Sequence, residues 1–166
     1  HTLGQEAAGV ISAVGAGVDG FQVGDRVVSA SVEGAYAAEA LVPAAQAVRV
    51  PAGISSQTAA AVLLQGLTAH YLAVDTFPLK PGDTALVHAA AGGVGLLLVQ
   101  IAKRRGARVI ATAGTDEKAA LARGAGADEV CVYSRDNFTA AARAFTGGRG
   151  VDVVFDGVGR ATFEGS

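Results

Sequence analysis

The sequence predicts an α/β protein: a parallel sheet with helices on both faces, preceded by part of a small β-barrel. Three observations predict it. Short β-type runs broken by turns fill the chain up to about residue 65, strands alternate with helices beyond it, and a glycine-rich turn joins the first of those later strands directly to a helix. With 166 residues and 51% hydrophobic content, the chain is long and apolar enough to bury a core.

In the first half the β-type runs are "GVISAVG", "DRVVSA", "AYAAEALVP" and "AVRVP", punctuated by "GVDG", "VGD" and "PAG". "SSQTAAAVLLQGLTAHYLAV" opens on Ser and continues with good helix formers, which predicts one or two connecting helices. "TALVHA" is a continuous apolar run, as a strand covered on both faces requires. After "AAGGVG" a helix is expected from about Val94 to Arg105, with Val94, Leu97, Leu98, Ile101 and Ala102 on one stripe and Gly106 as its stop. "RVIAT" is the next strand, and Thr115 caps a helix running to about Arg123. "EVCVY" follows as a strand. "NFTAAARAF" spaces Phe138, Ala141, Ala142 and Phe145 as one helical face, closes at Gly147 and Gly148, and leads into the strand "VDVVFD".

A net charge of −2 gives no electrostatic reason to expect nucleic acid or an anionic membrane surface. Apolar runs such as "TAAAVLL" fall short of the roughly 20 residues that cross a bilayer, and no signal-peptide pattern is read at the start. One Cys cannot form an internal disulfide, which fits a cytoplasmic protein.

The glycine-rich turn carries chemistry. Aligned on the dinucleotide pattern G-x-G-x-x-G, "AAGGVG" places Ala90, Gly92 and Gly95 at the three key positions, with Ala91, Gly93 and Val94 between them. Glycine at 92 lets backbone approach a pyrophosphate, glycine at 95 lets helix and strand pack closely, and the helix N-terminus offers amides and a positive dipole end. Enzymes selective for NAD place Asp or Glu at the end of the second strand, where it holds the ribose 2′-hydroxyl. Here Thr112, Ala113 and Gly114 occupy that place, so nothing repels a 2′-phosphate. Lys118, a cation in a first helical turn, opposes the helix dipole unless an anion binds there. These features predict NADPH as the cofactor.

"LGQEAAGVISAVGAGVDGFQVGDRVV", "GLTAHYLAV", "HAAAGGVGLLLVQIAKRRGARVIATAGTDEK", "VYSRD" and "GVDVVFDGVGRATFE" together resemble the quinone oxidoreductase, zeta-crystallin-like branch of the zinc-free medium-chain dehydrogenase/reductase superfamily. The resemblance implies a Rossmann-type NADPH-binding domain over residues 67–166, and a GroES-like catalytic domain with connecting helix over 1–66, each present only in part. It implies cofactor contacts at Thr68 near the nicotinamide, at Ala91, Gly92, Gly93, Val94 and Gly95 under the pyrophosphate, and at Gly114, Thr115, Lys118 and Tyr133 on the phosphate side. It also implies hydride transfer to a small-molecule quinone or α,β-unsaturated carbonyl, and a homodimer for the full-length protein. An enoyl reductase of the polyketide-synthase type and a catalytically silent, crystallin-like nucleotide binder are the alternatives.

Zinc-dependent relatives carry a ligand His where this chain has Gln5, and they add a Cys cluster after "GDRV". With one Cys and three scattered His, the chain is expected to hold no metal, since zinc needs three or four such ligands. Gln5 and Glu6 are therefore expected to be structural. Cys131 is expected in the core, and His88 and His70 to be packed or hydrogen-bonded. No catalytic residue is assigned; Tyr71 is a possible proton donor.

Overall fold

The computed structural model describes residues 3–166 and divides into two compact units, His1–Leu64 and Gln65–Ser166. The first is built on three antiparallel strands in the order β1-β2-β3: β1 (Ala7–Val10), β2 (Arg26–Ser29) and β3 (Val48–Arg49). Ala7 pairs with Ser29 and Val10 with Arg26, and Val28 of the central strand is buried.

"AYAAEALVP" is not a strand in this structure, contrary to the expectation from its composition. Four alanines give it weak β propensity. Among the described residues β1 pairs only with β2 and β3 only with β2, and the segment's backbone bonds to the chain start are those from Ala35 and Tyr36 to the Gly4 and Leu3 carbonyls; Tyr36 and Leu41 remain 81% and 96% exposed. The run "GVISAVG" also begins its pairing earlier than its apolar residues indicate, at Ala7, and leaves the ladder after Val10.

A single helix, α1 (Ser56–Tyr71), joins the two units, and the chain leaves it through a wider π-type turn at Leu72–Thr76. Ser55 caps α1 by accepting from the Thr58 amide at 3.0 Å.

The second unit is a four-stranded parallel sheet in the order β6-β5-β4-β7, made of β4 (Thr84–Val87), β5 (Arg108–Ala113), β6 (Glu129–Val132) and β7 (Val153–Phe155). All four residues of β4 are buried, because β4 is central and covered on both faces. Ala85, Val87, Val109, Ala111, Val130 and Val132 face α2 (Gly93–Arg104) and α3 (Asp116–Gly124), which supply Leu98, Val99, Ala102, Ala119 and Ala122. Leu86, Ile110 and Cys131 face the other way, onto Phe138, Ala141, Ala142 and Phe145 of α4 (Phe138–Phe145). The period-2 alternation of each strand thus feeds two separate apolar layers.

The observed caps match the residue types. Thr115 Oγ1 accepts from the Lys118 amide and Asn137 Oδ1 from the Ala140 amide, while Gly106 turns out of α2 at φ 81°. After β6 the chain crosses the sheet to place β7 against β4. Strand order therefore reverses at the C-terminal end of β4, the place where open α/β sheets bind ligands.

Candidate functional site

The chain leaves β4 at that reversal point. Ala89 takes the left-handed conformation at φ 47°, Ala90 donates to the Thr112 carbonyl at 2.9 Å, and Gly92 donates to the Ala89 carbonyl at 2.9 Å. The turn is thereby fixed to the end of β5 before α2 begins at Gly93. Gly92 occupies the N-cap position with no side chain to satisfy the first amides. Gly93, Val94 and Gly95 open the helix, and their N–H groups have no acceptor within it.

Each glycine of the turn has its own geometric reason. A Cβ at Gly95 would lie 2.5 Å from the Ala89 carbonyl oxygen and 2.7 Å from Ala90 Cα, so the helix could not sit this close to the turn with any side chain there. A Cβ at Gly93 would lie 3.0 Å from Gln65 Cγ. Gly92 and Gly93 are exposed, and Ala91 half-buried beside them. The result is a rigid cradle of exposed backbone with unsatisfied amides at a positive helix end, which fits an anionic diphosphate.

Next to it, the end of β5 makes a second site. Gly114 lacks the Cβ that would otherwise meet the Tyr133 hydroxyl at 2.7 Å, so the exposed phenol of Tyr133 reaches over the strand end. Thr115 caps α3, and Lys118 is exposed in the first turn. Of the two acids beside it, Asp116 is engaged elsewhere. Asp116 accepts both guanidinium nitrogens of Arg135, at 2.9 and 2.8 Å, and that partner holds its carboxyl below the usual range. The Glu117 carboxyl also lies below the usual range, chiefly through the neighbouring Thr115 hydroxyl. Among the described residues no carboxylate pairs with Lys118.

Arg135 was not among the residues singled out by sequence, yet a signal for it exists. Loops following adjacent parallel strands lie side by side, so "TDEK" after β5 and "SRD" after β6 must face each other.

From the buried His88 after β4 a polar chain runs outward to the exposed Ser166. His88 sits between Thr112 Oγ1 at 2.9 Å and Ser166 Oγ at 3.1 Å, edge-on to Phe138 with ring centroids 4.8 Å apart. Ser166 donates its single proton to the Thr162 carbonyl at 2.8 Å or to Asp156 at 3.2 Å. It must therefore accept from Nε2–H of a neutral imidazole, whose Nδ1 accepts from Thr112. Burial lowers the His88 pKa against the opposing pull of Asp156. Asp156 is itself lowered to about 2, mainly by the Gly159 amide, with help from the Thr162 hydroxyl and the Val158 amide. His88 is thus hydrogen-bonded and packed, as expected of it.

This arrangement has a pH signature. Above 6.5 the unfolded histidine is neutral as well and the stability His88 contributes is complete; below 6.5 the unfolded state binds the proton first, so stability is lost as pH falls through the lowered folded value. Urea midpoints measured at about pH 7.5 and about pH 5.5 should fall for the wild type and fall less for His88→Gln. Equal declines in both proteins would show that His88 is not the group responsible.

The remaining candidates are placed as follows. Thr68 lies on α1, half-buried and three residues beyond Gln65, the residue that faces Gly93. His70 and Tyr71 are exposed on the last turn of α1. Cys131 is buried mid-strand with its thiol pKa raised by desolvation, so it is a core residue and a poor nucleophile. Gln5 acts through its backbone, its carbonyl accepting from Val32 at 2.8 Å. Among the described residues no group of three His, Cys, Asp or Glu side chains is placed to hold a metal ion, and no helix is long and apolar enough to cross a membrane. His1 lies outside the described residues.

Two family models match the chain, the alcohol dehydrogenase GroES-like domain over residues 1–52 and the zinc-binding dehydrogenase over residues 93–166. Quinone oxidoreductase 1 of Escherichia coli K12 is 48% identical over 165 residues, covering 99% of this chain and 50% of that protein. The 2-haloacrylate reductase of a Burkholderia species is 44% identical over 167 residues, covering 99% of this chain and 50% of its own length. The crystal structure of Escherichia coli quinone oxidoreductase complexed with NADPH superimposes with a TM-score of 0.92 at 47% identity, over 98% of this chain and 50% of that one. The chain spans about half the length of the curated relatives it matches. Its parallel sheet with a glycine turn at the β4 end, its N-terminal GroES-like match and these relatives agree: over nearly its whole length the chain is similar to about half of the quinone oxidoreductases it matches.

Proposed function

We propose that this chain holds NADPH on its 65–166 unit and serves an oxidoreductase that passes hydride to a quinone or an α,β-unsaturated carbonyl without zinc. The observation that carries the reading is the end of β5, where Gly114 and Lys118, with Tyr133 reaching over the strand end, stand in place of an acid, while Arg135 engages Asp116 and, among the described residues, no carboxylate pairs with Lys118. In that assignment the amides of Gly93, Val94 and Gly95 and the open backbone at Ala91 and Gly92 receive the pyrophosphate. Lys118 and the Tyr133 hydroxyl, with Gly114 and Thr115 shaping the strand end, receive the 2′-phosphate. Thr68 stands toward the nicotinamide end, and the 1–64 unit belongs to the substrate-binding domain.

When bound, the nicotinamide supplies the hydride. The chain's task is to hold the cofactor rigidly, which the Gly95 contact and the Ala90–Thr112 hydrogen bond do by fixing the cradle to two strands. Quinones and enones delocalise the incoming charge over their own conjugated systems, so no Lewis acid is needed to accept it. Support for a zinc-independent reaction comes from the donor set of the sequence, with Gln5 at the ligand position and one Cys in all.

The test is NADPH oxidation by the intact protein with a panel of quinones and enones, before and after dialysis against a chelator. Acceptor-dependent turnover that survives dialysis is expected. Absence of turnover with every acceptor, or activity lost to the chelator and restored by zinc, would overturn the reading.

A further inference from the structure

We propose that the Arg135–Asp116 ion pair is a cofactor-specificity device, in which Arg135 masks a carboxylate that would otherwise repel the 2′-phosphate. The proposal rests on the cofactor reading above and extends it to a residue that touches neither helix dipole nor cradle. Asp116 opens α3 at N1, where an acid favours the helix. The same position adjoins Gly114 and Lys118, so the charge that helps the helix opposes a phosphate held there. Helix stability and phosphate binding make conflicting demands on one side chain.

Arg135, in the loop after β6, resolves the conflict with a two-pronged bond to both carboxylate oxygens, at 2.9 and 2.8 Å. Its Nε also lies 3.5 Å from Asp136, whose other oxygen is occupied by the Val132 amide at 2.8 Å. The guanidinium is therefore held between two acids, Asp116 and Asp136. Among the described residues, Lys118 is left as the cation of this turn that no carboxylate engages. The pair is exposed, so its contribution to folding is small. Its effect is expected in the discrimination between cofactors with and without the 2′-phosphate.

The experiment measures dissociation constants of NADPH and NADH for the intact wild type, Arg135→Gln, Asp116→Asn and the double variant. Arg135→Gln should weaken NADPH about fivefold, the effect of one unmasked surface charge, and leave NADH within about twofold. Adding Asp116→Asn should restore most of the loss, and the difference should shrink as added salt screens it. Equal weakening of both cofactors by Arg135→Gln would mean that Arg135 only shapes the loop. No change in either, in a wild type that prefers NADPH, would overturn the masking role alone. A wild type with no preference would overturn the cofactor reading and the masking role with it.

Discussion

Gly95→Ala is expected to destabilise the protein by at least about 3 kcal/mol and to weaken NADPH at least tenfold. The added methyl would stand 2.5 Å from the Ala89 carbonyl oxygen and 2.7 Å from Ala90 Cα, and both are backbone atoms of a turn tied to β5. No rotamer relieves that contact, so α2 must move away from the strand end. Its first amides move with it, which is why binding should fall further than lost stability alone explains. Gly124→Ala is the matched control. That glycine ends α3 with nothing within 4 Å of an added Cβ, and the same substitution there should stabilise by roughly 0.4 to 1 kcal/mol. Urea denaturation and cofactor titration of both variants check the pair. A Gly95→Ala protein that unfolds and binds like the wild type would show that the cradle is more compliant than its geometry states.

The second large effect is expected at Lys118. On the proposed cofactor assignment, Lys118→Ala would remove one charge-assisted contact to the 2′-phosphate, typically about 1.5 to 3 kcal/mol, which is roughly ten- to hundredfold in NADPH affinity. NADH should be nearly unaffected. Folding stability should hold or rise by a few tenths of a kcal/mol, because the side chain is exposed and a cation in a first turn opposes the helix dipole. Parallel loss of both cofactors would assign Lys118 to the common part of the nucleotide, and loss of neither would make it a surface lysine.

Much of the second unit was legible in the sequence because each signal there has one physical meaning. A fully buried central strand reads as the unbroken run "TALV", a helix needing close approach to a strand demands glycine at 95, and Thr115 and Asn137 fall where first-turn amides need acceptors. Helix ends shifted by a residue or so, as when α2 starts at Gly93 and not Val94, because capping is decided by local geometry that composition does not carry.

The first unit was harder to read. "AYAAEALVP" looks like a strand by its apolar residues, but pairing is a property of neighbours, and among the described residues no strand ladder meets this segment. At the site, Lys118 and the missing acid after β5 were visible as residues in order along the chain. The engagement of Asp116 was not, since it depends on an arginine 19 residues away on the next strand's loop. The His88 chain to Thr112, Ser166 and Asp156 was hidden for the same reason, being assembled from the ends of three strands and the segment beyond them.

The central claim is that the turn from β5 into α3 is built for a 2′-phosphate. The most direct measurement is a side-by-side titration of the intact wild-type protein with NADPH and NADH at low, fixed ionic strength. The structure predicts at least about tenfold tighter binding of NADPH. Equal dissociation constants for the two would contradict it.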